Sequence, residues 1–346
     1  MSFTVNTSVT IFHSQCQELG RHLQKLNPHV EDFLNPHLFP PKNTQTEDTA
    51  RFFFFITAID HRTSPVGQSF EGKVDGNYFQ GADLLWHLSV KRFLRNPQLF
   101  HPAKMAKITE KQIITWYTVH SPSRVIIANP GERAKLLRNC GQVLLDKYEG
   151  SVLTLLNSAN HRISSDPENV EIGLLSLLSQ FKAYEDPVNK KSFLFLKFLL
   201  RRNLWTHKDT DQLRIPVDNH LTRIALRTGI VNPSAKLTKA LQQRHPISLA
   251  KDVELRERIG DAYSLVSKYS SRSVLELDDF FWHFGRNCCL LDSPVCVTGC
   301  TSNCYVEIHL LSISCQNRCP LASICYAYAD DAKRSLVEPK VKTWYY

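Results

Sequence analysis

Cysteine is the residue whose distribution in this 346-residue sequence first suggests chemistry. The chain has ten cysteines, and all except Cys16 and Cys140 lie between Cys288 and Cys325. Secreted proteins that depend on disulfides are usually small and spread their cysteines along the chain. A crowded patch in a large chain without a signal-peptide pattern indicates bound metal in a reducing compartment. We therefore expect an intracellular protein, cytoplasmic or (in a eukaryote) nuclear, with one cysteine-rich metal site.

The outer spacings of the patch resemble a known cluster loop. Six residues separate Cys289 from Cys296 and five separate Cys319 from Cys325, with 22 residues between the two pairs. The endonuclease III family, including its adenine-glycosylase relatives, has a Cys-x6-Cys-x2-Cys-x5-Cys loop that binds a 4Fe–4S cluster. The resemblance implies that these four cysteines are cluster ligands, since four thiolates are the usual set. The neighbouring Cys288 could replace Cys289.

Zinc is the alternative occupant of the patch. Three residues separate Cys296 from Cys300, Cys300 from Cys304, and Cys315 from Cys319. Four such thiolates could form a tetrahedral zinc site, although paired Cys-x2-Cys knuckles are more typical. Disulfides or unbound cysteines form a third interpretation.

A second motif contains an aspartate in a distinctive setting. The segment Ile215–Ile224 reads Ile-Pro-Val-Asp-Asn-His-Leu-Thr-Arg-Ile. It resembles the Val-Asp-Thr-His-x-x-Arg loop of helix-hairpin-helix DNA glycosylases, in which the aspartate opens a helix in the active site. The resemblance implies that Asp218 is the catalytic carboxylate. Such a group can stabilise an oxocarbenium-like sugar and position the attacking water. Asp is also a preferred N-cap, so capping alone would explain the residue.

A longer resemblance runs collinearly over about residues 50–286. In this range the chain resembles the queuosine salvage family, the queuosine 5′-phosphate N-glycosidases. The matching segments are Gly81–Leu94, Arg133–Ser151, Phe181–Asp186, Lys190–Trp205, His207–Leu213 and Leu277–Phe284. That family shares the glycosylase fold, lacks the iron–sulfur loop and releases a 7-deazaguanine base by hydrolysis. Its Asp-Tyr-Arg sequence at the carboxylate reads Asp218-Asn219-His220 here, which leaves the identity of the base open.

Two lysines precede Asp218 by 28 and 27 residues. Archaeal 8-oxoguanine glycosylases have a Schiff-base lysine at a similar distance, which implies a nucleophilic role for Lys191. An amine nucleophile needs a lowered pKa. Lys190 and Lys191 could instead contact a substrate phosphate or lie on a solvated helix face.

Four other positions are candidates for substrate binding. Asp60 and His61 follow the apolar run Phe52–Ile59 and could line a pocket, or form only a polar turn. Trp86 could stack on a base, although a tryptophan at helical spacing is more often core. His220 joins them because of its place beside Asp218.

The rest of the sequence indicates helices. Apolar residues recur at helical spacing through most of the chain, and Ser273 with Glu276 predicts a capping box. We expect an all-α, two-lobed helix-hairpin-helix glycosylase-like fold over residues 1–286 and a cysteine-rich iron–sulfur loop and tail over 287–346. No apolar run reaches the ~20 residues of a membrane span.

The leading functional hypothesis is an N-glycosidase acting on a modified purine-like nucleotide or nucleoside. The net charge of +9 suits a phosphorylated partner and also admits nucleic acid. One alternative is an iron–sulfur DNA glycosylase, although Glu185–Asn189 lacks the glycines of a phosphate-binding hairpin. The other is a non-catalytic nucleic-acid-binding module. The sequence sets no oligomeric state.

Overall fold

The computed structural model describes residues 7–28, 30–65, 67–300, 311, 315, 318–341 and 343–346. Within these residues the chain is mostly helical, with three antiparallel sheets of two short strands each. The expectation of a mainly helical protein is therefore confirmed, while the helix-hairpin-helix arrangement stays a prediction. None of the helices in these ranges combines the length and apolar character needed to span a bilayer.

The elements are numbered in chain order. The helices are α1 His13–Leu26, α2 Thr46–Ile59, α3 Ala82–Arg95, α4 Pro102–Met105, α5 Glu110–Trp116, α6 Pro130–Lys147, α7 Val152–Asn157, α8 Leu174–Leu178, α9 Lys190–Arg201, α10 Asn219–Thr228, α11 Ala235–Gln242, α12 Leu249–Ser270, α13 Val274–Asn287, α14 Val295–Thr298, α15 Tyr326–Ala329 and α16 Asp331–Arg334. The strands pair as β1 Val9–Ile11 with β6 Val231–Pro233, β2 Glu71–Val74 with β3 Asn77–Gln80, and β4 Thr118–Val119 with β5 Val125–Ile126.

Packing divides the chain into two compact units. Unit 1 contains Met1–Glu31 and Arg214–Thr343, and unit 2 contains Asp32–Leu213 and Trp344–Tyr346. The cysteine-rich segment therefore packs with unit 1. The predicted division into residues 1–286 and 287–346 stays a prediction.

Helix α2 forms the centre of unit 2. Phe52, Phe53, Phe54 and Phe55 are all fully buried, as expected for a helix that is apolar on every side. The ring of Phe53 stacks on that of Phe198 with centroids 4.8 Å apart. Because α2 ends at Ile59, this packing fixes the position of the polar residues that follow it.

In unit 1, α1 packs closely against α12. Cys16, Leu19 and Leu23 point into the core, and Gly20 marks the closest approach of the two helices. A Cβ at Gly20 would lie 2.6 Å from Cβ of Tyr269 and 2.9 Å from the carbonyl oxygen of Val266. The absent side chain is therefore what permits this contact.

Both helix starts that the sequence indicated are present in unit 1. Asp218 caps α10, and Ser273 forms the predicted capping box with Glu276 at the start of α13. Helices α10 and α13 pack against each other. The two caps therefore define where each of these packed helices begins, and Asp218 lies at the start of one of them.

We expect Gly20→Ala to destabilise the protein by about 1–3 kcal/mol, because the new methyl group overlaps the backbone and Cβ of α12. Gly260→Ala, within α12, is the matched control. Its added Cβ would meet nothing closer than 3.8 Å, so the higher helix propensity of alanine should leave stability equal or about 0.5–1 kcal/mol higher. Denaturant unfolding of the two variants measures this difference, and equal effects would contradict the packing described for Gly20.

Candidate active site and cysteine cavity

Asp218 places a carboxylate at the N-terminal end of α10. Its Oδ1 accepts the backbone N–H of Leu221 at 2.8 Å, and its carbonyl oxygen accepts both the N–H and the hydroxyl of Thr222. Its Oδ2 accepts no hydrogen bond from the part of the chain that the structure describes. The helix end stabilises negative charge there. One oxygen of Asp218 is thus held by the helix, and the other is available for chemistry.

A buried arginine holds the residues on both sides of Asp218. Arg256 of α12 donates from Nη1 to the carbonyl oxygen of Val217 at 3.3 Å and from Nη2 to Oδ1 of Asn219 at 2.7 Å. Its Nε lies 3.0 and 3.1 Å from the carboxylate oxygens of Asp252, which is fully buried. A charge pair out of water needs such complete bonding. The pair therefore clamps the chain around Asp218.

The sequence interpretation missed this clamp. Asp252 and Arg256 are an i,i+4 pair, a spacing that usually indicates a solvent-exposed helix face. Here both residues lie on the buried side of α12. The two charged residues fall at the same helical spacing as the apolar core positions of α12, and that pattern could have revealed the clamp.

His220 lies with Asp218 in unit 1. Its Nδ1 is 2.9 Å from Nη2 of Arg223, which must be the donor because a guanidinium carries only N–H groups. Burial, and then the charge of Arg223, lower the pKa of His220, while Asp218 raises it. A Cβ on Gly285 would lie 2.6 Å from Cβ of His220, so α13 presses directly on this residue. His220 is a neutral, firmly held imidazole.

The other predicted side chains lie in unit 2, around the end of α2. Asp60 is partly buried and accepts the indole N–H of Trp86 at 3.0 Å. Trp86 is only 5% exposed and packs against Phe52 and Phe198. Its ring packs within the hydrophobic core of unit 2 and its N–H orients Asp60, while the predicted role in substrate binding stays a prediction.

Lys191 is a fully buried amine. Its Nζ donates to the carbonyl oxygen of Ala58 at 2.7 Å and lies 3.2 Å from Nδ1 of His61. Burial, followed by the charge of Lys190, lowers its pKa from 10.5 to about 7. Lys191 therefore gains or loses its proton near neutral pH and not near pH 10.5.

His61 connects Lys191 to a carboxylate nearer the solvent. Burial, and then the charge of Lys191, hold the pKa of His61 well below its usual range. Its Nε2 is 3.1 Å from Oε1 of Glu132, whose side chain is 38% exposed. The neutral ring can therefore accept from Lys191 at Nδ1 and donate to Glu132 at Nε2.

Two further buried charges shape this cluster, and the sequence interpretation singled out neither. Arg133 is fully buried and donates to the carbonyl oxygens of Ile59, His61 and Ala128. Asp186 accepts the backbone N–H groups of Lys190 at 2.8 Å and Lys191 at 3.3 Å. Nothing in the local sequence pattern marks Arg133, because its partners at Ile59 and His61 are distant in the chain.

The four predicted metal ligands line one cavity in unit 1, which we call the cysteine cavity. Cys289, Cys296, Cys319 and Cys325 all contribute to its wall, together with Cys288. Burial raises the pKa of Cys325 to about 12 and that of Cys319 further. In the ranges given above, no three His, Cys, Asp or Glu side chains are close enough to hold one metal ion.

The remaining cysteines are placed differently. Cys300 and Cys315 are partly buried and lie outside the lining of the cysteine cavity, and Cys304 lies outside the described residues. Cys16 and Cys140 are fully buried, and burial raises the pKa of each to about 12. These two are inert core thiols.

Comparison with known proteins identifies relatives for most of this framework. The family model described as queuosine salvage protein matches residues 40–286. A Dictyostelium discoideum protein named queuosine 5′-phosphate N-glycosylase/hydrolase is 23% identical over 220 residues, which cover 58% of this chain and 64% of the relative. The chain thus spans just under two thirds of the length of that curated relative. Since the family model covers well over half of the sequence, including Asp218 and both lysines, the chain belongs to the queuosine salvage protein family.

Proposed function

We propose that this protein is an N-glycosidase that hydrolyses the bond between base and sugar in a modified purine-like nucleotide or nucleoside. The expected base is a 7-deazaguanine of the queuosine type, in line with the name of the Dictyostelium relative. The observation that carries the proposal is the Asp218 carboxylate, with Oδ1 bound to the start of α10 and Oδ2 without a partner in the described ranges.

The proposed reaction is a displacement of the base by water at the anomeric carbon. As the carbon–nitrogen bond breaks, its electron pair leaves with the base and positive charge develops on the sugar. The negative charge of Asp218 stabilises that sugar, and Oδ2 accepts a proton from the attacking water. A new carbon–oxygen bond forms, the departing base nitrogen takes up a proton from solvent, and Asp218 then releases to solvent the proton that it accepted.

The clamp around Asp218 supports this role. A carboxylate stabilises a transition state best when its position is fixed beforehand, because reorientation then costs nothing during the reaction. Arg256 fixes Val217 and Asn219 on either side, and Leu221 fixes Oδ1. In this mechanism Arg256 and Asp252 are positioning residues.

The lysines have separate roles in the proposal. Lys190 begins α9 and is 8% exposed, and its Nζ lies 3.4 Å from the carbonyl oxygen of Asp60. We assign it to the substrate phosphate, for which a fixed ammonium group is suited. Hydrolysis by water needs no Schiff base, so we assign Lys191 to positioning His61, with which it is bonded. Asp60, held by Trp86, completes the polar surface at this end of α2.

An iron–sulfur DNA glycosylase is the second candidate, favoured by the cysteine cavity and the net charge of +9. One contact argues against it. A helix-hairpin-helix protein would use free backbone N–H groups at the start of α9 to bind a DNA phosphate. Here Asp186, only 2% exposed, already accepts the N–H groups of Lys190 and Lys191. The anion site at this helix end is therefore filled from within the chain.

Asp218→Asn should lower the release of base from queuosine 5′-phosphate by at least about 100-fold, because the amide keeps the cap but removes the charge and the proton acceptor. Asparagine caps helices as well as aspartate does, so the unfolding temperature should barely change. Chromatography of the released base measures the rate.

The matched control is Asp330→Asn. Asp330 caps α16, is exposed, and accepts the N–H of Ala332 at 2.8 Å. This variant should keep full activity. Full activity of Asp218→Asn would refute the assigned role. A wild-type protein that releases base only from duplex DNA, with a steep dependence on salt, would favour the second candidate. Binding of nucleic acid without any base release would leave a non-catalytic module.

Lys191 should also make stability depend on pH. Below about pH 7 the folded protein holds a buried charge, whereas above pH 10.5 the amine is neutral whether the chain is folded or unfolded. The unfolded state therefore binds more protons between these values, and stability rises with pH across that window. Across the whole window the contribution of Lys191 raises the free energy of unfolding by roughly 5 kcal/mol, at about 1.4 kcal/mol per pH unit.

Unfolding of wild type and Lys191→Met, measured from pH 7 to pH 10, tests this. As pH rises, the wild type should gain free energy of unfolding relative to Lys191→Met. Lys239→Met, at an exposed position of α11, is the control and should follow the wild type in parallel. Parallel curves for Lys191→Met as well would show that the buried amine does not have the lowered pKa.

A further inference from the structure

The proposed hydrolysis uses none of the cysteines, yet the fold gathers the four predicted ligands and Cys288 around one cavity. Cys289 follows α13, Cys296 lies in α14, and Cys319 and Cys325 come from the segment before α15. These segments are separate in sequence, so tertiary packing brings the thiols to one cavity. Cysteines that served only as apolar packing residues would have no reason to line the same cavity.

The rest of the cavity wall suits a bound, negatively charged group. Ile224, Phe284 and Leu321 supply apolar surface, while Arg227 and Arg334 supply positive charge. Nη1 of Arg227 lies 3.5 Å from Sγ of Cys289 and donates to it. Hydrogen bonds to sulfur and nearby cations are the surroundings that tune metal–thiolate centres.

We propose that Cys289, Cys296, Cys319 and Cys325 bind a metal centre through their thiolates. Each thiol would release its proton to solvent as its sulfur–metal bond forms, so binding involves no change of oxidation state. The guanidinium groups of Arg227 and Arg334 then offset the negative charge that four thiolates bring into an apolar cavity.

The occupant we assign is the iron–sulfur cluster expected from the spacing, with zinc as the ion that the same thiolates would otherwise hold. The thiols surround a common space, although no three described ligands lie within reach of one ion. A centre must therefore either extend across the cavity, as a multi-iron cluster does, or draw the thiols inward.

The centre would also stabilise the helix that begins at Asp218. From α10, Arg223 donates to the carbonyl oxygen of Cys289 at 2.8 Å, and Arg227 donates to those of Leu290 and Leu291 at 2.6 and 2.8 Å. The free thiol of Cys325 donates to the carbonyl oxygen of Arg227 at 3.4 Å, a bond that is given up when the thiol loses its proton to bind metal. In the metal-bound form, Cys289 is therefore the proposed ligand that stays bonded to α10, through Arg223 and Arg227.

Metal analysis of the full-length protein, purified without oxygen, tests the proposal. We expect about four irons and about four acid-labile sulfides per chain, with visible absorption from the sulfur–iron bonds. Cys289→Ala and Cys319→Ala should each lose most of this metal. Cys16→Ala and Cys140→Ala, which change buried thiols away from the cavity, should keep it.

Alkylation of the wild-type thiols supplies a readout that does not depend on variants folding. The four proposed ligands should resist alkylation until a chelator removes the metal, as identified by peptide mass spectrometry. Stoichiometric zinc without iron or sulfide would overturn the cluster as the occupant. A chain with neither metal, or with these cysteines paired as disulfides, would overturn the metal centre itself.

Hydrogen exchange tests the link to α10. Amides of Leu221–Thr228 should exchange faster after the metal is removed, and those of α2 should not change. Unchanged exchange in α10 would refute the stabilising role even if metal is bound. None of these measurements depends on base release, so they are independent of the proposed glycosidase activity.

Discussion

Buried guanidinium groups are the constraint on which the Asp218 region depends. Arg223, Arg227 and Arg256 are each at most 3% exposed. A charge removed from water is tolerated only when its hydrogen bonds are satisfied within the protein. These three side chains therefore require fixed partners, and the partners are the chain around Asp218 and the segment at Cys289–Leu291. The arginines set the position of α10 from both of its ends.

In unit 2, buried charges are likewise satisfied within the protein, but at the C-terminal end of a helix. The last carbonyl groups of a helix lack partners within it and carry partial negative charge. At the end of α2, Lys191 donates to the carbonyl oxygen of Ala58 and Arg133 donates to that of Ile59. The helix end thus stabilises two buried cations, whereas the start of α10 stabilises the carboxylate of Asp218. The carboxylate of Asp218 and the ammonium group of Lys191 thus each lie at a helix terminus that complements their charge.

Local signals in the sequence were sufficient for some features and not for others. The helix start at Asp218 and the capping box at Ser273 follow from residues three positions apart, which interact whatever the rest of the fold does. Arg133 and Arg256 bond to segments 72 and 39 residues away in the chain. Such contacts exist only after tertiary packing, so periodicity and spacing could not reveal them. The sequence pattern around Trp86 was consistent with both core and stacking roles, and its 5% exposure favours core.

The clamp also changes how the departures from the family sequence are understood. The family resemblance implies that Asn219 and His220 replace other residues beside the carboxylate, which would make both of them candidates for determining the base. Oδ1 of Asn219, however, is bonded to Arg256, so this side chain maintains the position of Asp218. His220 is different, because within the residues that the structure describes only its Nδ1 is bonded, to Arg223, and burial lowers the pKa of the ring. A neutral imidazole with Nε2 protonated can donate one directed hydrogen bond to an acceptor on a substrate. Of the two substitutions, the one at His220 is therefore the one with the chemistry to select a base.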